Sequence, residues 1–382
     1  MVWLLALSAV CLFLAQHSFV TYPLSLKFLR WLNPRQLNLN HESTGHFAIC
    51  VCAYNEEAVI EKKLENLSAL KARHPDLQIL IYIDAATDRT AEIVNRYKDR
   101  FFVHIAEQRY GKTYGMNLLV GQVSAPYIIF SDANVLMDMD AIDNLKKYFS
   151  DPAVGCVCGH LIYTNDADGV TAQSGSLYWK MEEKLKQLES DTGSVMGADG
   201  SIFAIRKSLH QPPPANIIDD MFVSLGVLCQ GYRIIRASDV RAYEKTVFVS
   251  SEEFRRKVRI ACQAFNVHRL MWPRLKKLSP LDLYKYVSHK LLRWFTIYFL
   301  AWSAFFFVIA LVAKGYGWVT IILLSAATAV FAWGKKSKIK PVMQFIDILS
   351  AFAGVGMGVW KSLRGEKFQT WAPAQSIRQT QK

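Results

Sequence analysis

The sequence predicts an α/β protein with a largely parallel sheet and right-handed helical crossovers, tied to a membrane by apolar segments at both ends. Three observations predict this. Short apolar runs alternate with helical patterns from residue 47 onward, as in βα units. Successive runs end in acids or amides, and apolar stretches of membrane-spanning length flank this region.

Residues 2–20 are apolar except near the end, at Gln16 and His17, and are long enough to span a bilayer. The run lacks the basic start and small-residue cleavage site of a signal peptide, whereas Lys27, Arg30 and Arg35 follow it. The positive-inside rule then puts the N-terminus outside and the next domain in the cytosol. Residues 47–53 (F-A-I-C-V-C-A) read as a buried strand, followed by Tyr54-Asn55-Glu56-Glu57 and a helix presenting Ile60, Leu64, Leu67 and Leu70. A second strand, 78–83, ends in Asp84, and Thr87-Asp88-Arg89-Thr90 opens a helix with Thr87 or Asp88 as its cap. Residues 101–105 form a third strand. The segment 109–117 leads into a helix, and the strand 127–131 then delivers Asp132 and Asn134. In open α/β sheets ligands bind beyond the carboxyl ends of the strands. Three strand ends bearing Asn55 with Glu56, Asp84, and Asp132 with Asn134 therefore point to a site, although Asx turns use the same residues.

Beyond Asp151 the rhythm loosens. A strand is expected over 155–163 and an amphipathic helix near 177–188. A Gly-rich turn, Gly197, Ala198, Asp199 and Gly200, precedes the apolar residues 202–205 and is either a simple bend or the expected acceptor region. Pro212, Pro213 and Pro214 precede Asp219 and Asp220, which open a helix and would cap it in any case. Residues 251–277 are basic and amphipathic, suited to a membrane surface. Apolar runs follow at about 291–313, 318–333 and 342–359. The loop holding Lys335, Lys336, Lys338 and Lys340 should be cytosolic, so the first two runs form a hairpin out and back. The third is Gly-rich, contains Asp347 and is followed by Lys361, Arg364 and Lys367, so it either crosses or lies re-entrant or interfacial. The expected divisions are a membrane helix to 22, a sheet domain over 44–250, interface helices over 251–290, a membrane region over 291–360 and a tail over 361–382.

Composition agrees with this organisation. At 382 residues and 52% hydrophobic, the chain can hold one large domain plus membrane segments. Its net charge of +13 calls for an anionic partner. The basic residues crowd beside apolar segments and no nucleic-acid-binding signature appears, so membrane lipids and a phosphorylated substrate are expected and nucleic acid is not. Of the seven cysteines, Cys50/Cys52 and Cys156/Cys158 each place both sulfurs on one strand face, where core packing is expected ahead of metal binding. The odd count with no paired framework suits the reducing cytosol.

The ordered motifs C-A-Y-N-E-E (52–57), D-A-A-T-D-R-T (84–90), R-Y-G-K-T-Y-G-M-N (109–117), S-D-A-N (131–134), G-A-D-G-S-I-F-A-I-R (197–206), the Asp219-Asp220 pair and the basic stretch 255–259 resemble family-2 glycosyltransferases. The resemblance is to bacterial inner-membrane members similar to cellulose, hyaluronan and poly-N-acetylglucosamine synthases, and covers nearly all of the chain. H-K-L-L-R-W (289–294) and K-F-Q-T-W (367–371) also look like this family. The resemblance implies a GT-A fold, a nucleotide-diphosphate sugar donor such as a UDP-sugar, Mg2+ or Mn2+, and a multi-pass inner (plasma) membrane protein with its catalytic domain in the cytosol. Asp132 is then the first metal ligand. Asn134 stands where the family commonly has a second Asp, and an amide is a weaker ligand. Asp84, Tyr54, Asn55 and Glu56 would line the nucleotide pocket, with Asn117 and Ser131 on the donor side and Lys112 near the phosphates. Arg255, Arg256 and Arg259 would close over the pyrophosphate or bind lipid headgroups. Asp220 matches the family's catalytic base, with Asp219 as its neighbour.

One departure bears on the product. Processive members carry Q-x-x-R-W after the acid pair, and this chain has Arg259-Ile260-Ala261-Cys262-Gln263 there. Single-sugar transfer to a lipid-linked or membrane-proximal glycan acceptor is therefore favoured, with a processive synthase as the alternative. A transporter or sensor with a nucleotide-sugar-binding domain would need ionisable groups inside its spans, where only Asp347 qualifies. A nucleotidyltransferase would need a Gly-rich loop after the first strand, and Tyr54-Asn55-Glu56-Glu57 has no Gly.

Overall fold

The computed structural model describes residues 2–39, 45–164, 170–245, 250–337 and 339–370, and the side chains of all of these but 170–178, 250–252 and 335. An eight-stranded sheet organises the chain: β1 (Phe47–Ala53), β2 (Gln78–Ile83), β3 (Phe102–Ile105), β4 (Tyr127–Asp132), β5 (Leu136–Met137), β6 (Val154–Tyr163), β7 (Ile202–Arg206) and β8 (Arg233–Glu244). Its order is β3-β2-β1-β4-β7-β6-β8-β5. The first four strands run parallel, β7 is antiparallel between β4 and β6, β8 is parallel to β6, and β5 pairs antiparallel at the far edge.

Helices cover both faces. A parallel sheet buried on both sides needs continuous apolar strands, and every residue of β1 is buried. The helix Ile60–Arg73 packs Ile60, Leu64, Leu67 and Leu70 against one face, while Met116, Leu119 and Val120 of the helix Lys112–Gln122 cover the other. The four paired cysteines, Cys50, Cys52, Cys156 and Cys158, belong to this second core, and all seven thiols are free.

The N-terminal apolar run is not one straight helix. Val2–His17 is followed by Thr21–Leu32 at an angle of 59°. Sixteen residues rise only about 24 Å, short of the roughly 30 Å of a bilayer core. Ser18 Oγ at the break donates to the Ser288 carbonyl (2.6 Å), and Tyr22 and Leu26 pack against Leu185 and Leu188. Further up, Ser8 Oγ donates to the Ser303 carbonyl, which pairs Val2–His17 with the helix Thr296–Ala313.

Among the described residues three helices, Thr296–Ala313, Gly317–Gly334 and Lys340–Leu363, are long and apolar enough to cross a membrane. The last packs Gly354 and Gly358 along the basic helix Ser250–Leu275. A Cβ on Gly358 would lie 2.5 Å from the Val258 carbonyl oxygen, so only Gly permits this approach. At its end Ser362 Oγ donates to Asn266 Oδ1 (2.6 Å), and Arg269 donates to the Ser362 carbonyl (2.6 Å). The C-terminus of the last helix therefore lies on the sheet-domain side.

Candidate functional site

β4 ends in Asp132, and its alternation decides which neighbours point where. Ile128, Phe130 and Asp132 share the face covered by the helix Lys112–Gln122, whereas Ser131 faces the other way. Lys112 Nζ, at that helix's first residue, lies 2.7 Å from Asp132 Oδ1 and 3.7 Å from Asp219 Oδ2. Asp219 and Asp220 begin the helix Asp219–Leu228, where the dipole favours carboxylates. Gly200 closes the group: a Cβ there would sit 2.9 Å from Asp220 Oδ2 and 3.3 Å from Lys112 Nζ. Four segments distant in sequence thus meet at one point.

Electrostatics separates their roles. Burial first and the neighbouring Asp219 charge second raise the Asp220 carboxyl to about 7, against the opposing pull of Lys112. Burial penalises the Lys112 ammonium, yet Asp132, Asp219 and Asp220 outweigh that and hold it above its ordinary value. Arg259 approaches from the helix Ser250–Leu275: burial and Arg256 lower it, and the attraction of Asp220 and Asp132 partly offsets them. Arg256 bonds Glu253 (2.8 Å) and Arg255 is exposed.

A second group forms at the ends of β1 and β2. Asp84 is fully buried, and Oδ1 accepts the backbone N–H groups of Tyr110 (2.8 Å) and Gly111 (3.0 Å), while Arg109 donates to Oδ2 (3.3 Å). Arg109 also lies over the Tyr54 ring, 3.4 Å from its centroid. Asn55 and Ala85, just past the two strands, have φ of +51°, which costs an L-residue about 1–2 kcal/mol. Asn55 Oδ1 accepts Thr87 N–H (2.8 Å), and Glu56, buried, donates its N–H to Thr90 Oγ1 (2.7 Å). Asp88 Oδ1 accepts Thr90 N–H at the start of the helix Thr90–Asn95.

Other expected site residues stand apart. Ser131 Oγ accepts the buried Lys63 Nζ (2.8 Å) on the opposite sheet face, because adjacent strand residues point to opposite sides. Asn117 Nδ2 holds the Pro213 carbonyl (2.8 Å). Ala198 N–H donates to Ser224 Oγ, and Asp199 is engaged by Lys186. Asn134, by contrast, stays in the loop directly after Asp132, where its Nδ2 donates to Glu244 Oε1 (2.8 Å).

The fold also recruits residues that local patterns do not announce. Glu244, at the end of β8, is raised to about 7 by burial and by Asp132. Lys290 approaches the Gly197 turn, its Cε 3.9 Å from a Cβ placed there. Beside it His289, fully buried, lies between Glu189 (2.7 Å) and Glu182 (2.9 Å), and Arg293 bonds Glu182 (2.6 Å). The segment after the last helix returns to the site: Gln263 Nε2 donates to the Phe368 carbonyl (2.8 Å) and Gln369 Nε2 to the Tyr110 carbonyl (3.1 Å). The tail is thus seated on the site as far as Gln369, and Trp371 of the K-F-Q-T-W motif lies outside the described residues.

The oxygen-rich set around Asp132 suits a hard divalent cation, and Lys112 Nζ already marks a cation-attracting position on its carboxylate. Among the described residues no group of three or more His, Cys, Asp or Glu side chains forms a metal cluster, so such an ion would take further ligands from its substrate.

Comparison with known proteins agrees with this architecture. The model of the family "Glycosyl transferase family 2" matches residues 48–211. A poly-beta-1,6-N-acetyl-D-glucosamine synthase of Staphylococcus aureus is 28% identical over 217 residues, 54% of this chain and 51% of that protein. An O-antigen chain rhamnosyltransferase of Salmonella typhimurium is 27% identical over 204 residues, 50% of this chain and 64% of that protein. The chain thus spans about half the length of the synthase and under two thirds of the rhamnosyltransferase. The solved mannosyltransferase of Pyrobaculum calidifontis, in complex with GDP-mannose and Mn2+, superimposes with a TM-score of 0.73 at 19% identity, covering 95% of this chain and 99% of that one. That likeness establishes the GT-A fold.

Proposed function

From a chain whose residues 48–211 are a family-2 glycosyltransferase domain, we propose a membrane-bound inverting enzyme. It moves one sugar from a nucleotide-diphosphate sugar to a lipid-linked or membrane-proximal glycan acceptor. The observation that carries this reading is the convergence of Asp220, Lys112, Asp132 and Gly200 at the carboxyl end of β4. Asp220 takes the acceptor hydroxyl proton as that oxygen attacks the anomeric carbon and the bond to the diphosphate breaks. Lys112 and Arg259 meet the charge of the leaving group, and the Gly200 backbone packs against Asp220, where a Cβ would lie 2.9 Å from its Oδ2. Asp132 and Asn134 would hold Mg2+ or Mn2+, which supplies additional positive charge to the diphosphate when bound. Tyr54, Asn55, Glu56, Asp84 and the loop it orders would form the nucleotide end of the pocket.

The test is a panel of UDP- and GDP-sugars offered to the purified protein with Mg2+ or Mn2+, reading nucleoside diphosphate release against pH. A base raised to about 7 must lose its proton to act, so kcat should fall as pH drops through that value. Asp219→Asn removes a like charge and should move that limb to lower pH. Absence of release from every donor at every pH counts against the enzyme reading. A processive synthase is the second reading, favoured by the S. aureus relative. Product length separates the two, since single transfer adds one sugar per acceptor.

We propose a multi-pass inner-membrane location with the sheet domain in the cytosol. The helices Thr296–Ala313 and Gly317–Lys336 would form a hairpin, and Lys340–Leu363 would run along the cytosolic surface without crossing. Its packing on Ser250–Leu275 and the docking of Ser362 support this. Reporters fused after Ser337 and at the C-terminus should read cytosolic, and one after Lys314 external. An external signal from either of the first two overturns the arrangement.

A further inference from the structure

Position 134 holds an amide two residues after Asp132, so the loop after β4 offers only one carboxylate to a cation. The strand pairing supplies another. β5 and β8 are antiparallel with Leu136 opposite Tyr243 and Met137 opposite Ala242. Continuing that register places Val135 level with Glu244, and the Asn134 side chain reaches across to donate from Nδ2 to Glu244 Oε1 at 2.8 Å. On its other side Glu244 is paired with Tyr163 of β6, and its carbonyl accepts Thr164 N–H (3.0 Å), which fixes the strand end. Glu244 is half-buried, and the Asn134 amide that it accepts lies two residues beyond Asp132.

We infer that Glu244 is the second carboxylate of the cation site, contributed across the sheet and held toward Asp132 by the Asn134 amide. This rests on the reading of Asp132 as a ligand of Mg2+ or Mn2+. Two carboxylates crowded together without a cation repel, and a divalent ion between them converts that repulsion into attraction. The amide at 134 then has a definite role. A carboxylate there would repel Glu244, whereas an N–H donor orients it. The charge usually supplied two residues after the first ligand arrives from 110 residues later in the chain.

The test measures Mn2+ binding to the purified full chain in micelles, by loss of the free-ion paramagnetic resonance signal, with and without UDP. Glu244→Gln should weaken Mn2+ binding by about 10- to 100-fold, the range typical when a supporting group of a metal site is lost. Asn134→Asp combined with Glu244→Gln returns a carboxylate to the site from the other strand and should recover most of that loss. Thermal melts of each variant confirm that it is folded. If Glu244→Gln binds Mn2+ as wild type while Asp132→Ala does not, the inference fails and the metal reading stands. If Glu244→Gln weakens binding but the double variant does not recover it, Glu244 merely supports the strand end, and the inference also fails. If Asp132→Ala binds as wild type, the metal reading itself is wrong.

Discussion

Asp132→Ala is expected to abolish turnover and metal-dependent nucleotide-sugar binding while leaving the fold intact. The side chain is 37% exposed, and its ion-pair partner Lys112 is 22% exposed. Pairs of this kind contribute at most about 1 kcal/mol to stability, so unfolding should be nearly unchanged. Catalysis is different. A single preorganised charge-stabilising group is worth about 10²- to 10³-fold in kcat, and removing the carboxylate that anchors the cation should cost at least that. Lys112 would remain beside Asp219, so the variant keeps a positive charge in the site and isolates the effect of the lost ligand. Nucleoside diphosphate release with Mg2+ and Mn2+ checks the result, and full activity in either ion sinks the assignment of Asp132.

The second large effect is expected at Asp220. Asn at this position keeps the shape and cannot accept the proton, so kcat should fall by roughly 10²- to 10⁴-fold with donor binding near wild type. Asp219→Asn should cost less, because Asp219 acts on Asp220 by charge and on Lys112 at 3.7 Å. The split between kcat and donor affinity is the informative measurement. Wild-type kcat in Asp220→Asn would reduce the residue to a helix cap, and a loss of donor binding in its place would move it to the donor pocket.

The candidate site was partly legible because its groups sit where chain direction changes. Asp84, Asp132 and the Asp219-Asp220 pair each lie at a strand end or helix start, and such boundaries are visible as breaks in apolar periodicity. Facing was harder to read. Ser131 and Asp132 are neighbours in one motif, yet one meets Lys63 and the other Lys112, since a strand sends them to opposite layers. β8 carries no clean strand pattern in its sequence. Its residues Arg233, Arg236 and Asp239 interrupt the apolar pattern because they bond helices and loops around the sheet, as Arg236 does with Glu183 (2.9 Å). Without β8, nothing in the local sequence connects Glu244 to Asn134.

By itself the sequence determined the βα alternation, the acids at the carboxyl ends of β1, β2 and β4, the acid pair opening a helix and the apolar helices, because each depends on the periodicity and chemistry of adjacent residues. Only the tertiary structure decided that Lys112 bridges Asp132 and Asp219, that the Gly200 backbone packs closely against Asp220, that β7 inverts the sheet, and that residues 366–369 return from the last helix to the site. These contacts join segments tens to hundreds of residues apart. They follow from strand register and helix packing, in which one-residue slips reverse every side chain, and no local pattern encodes them.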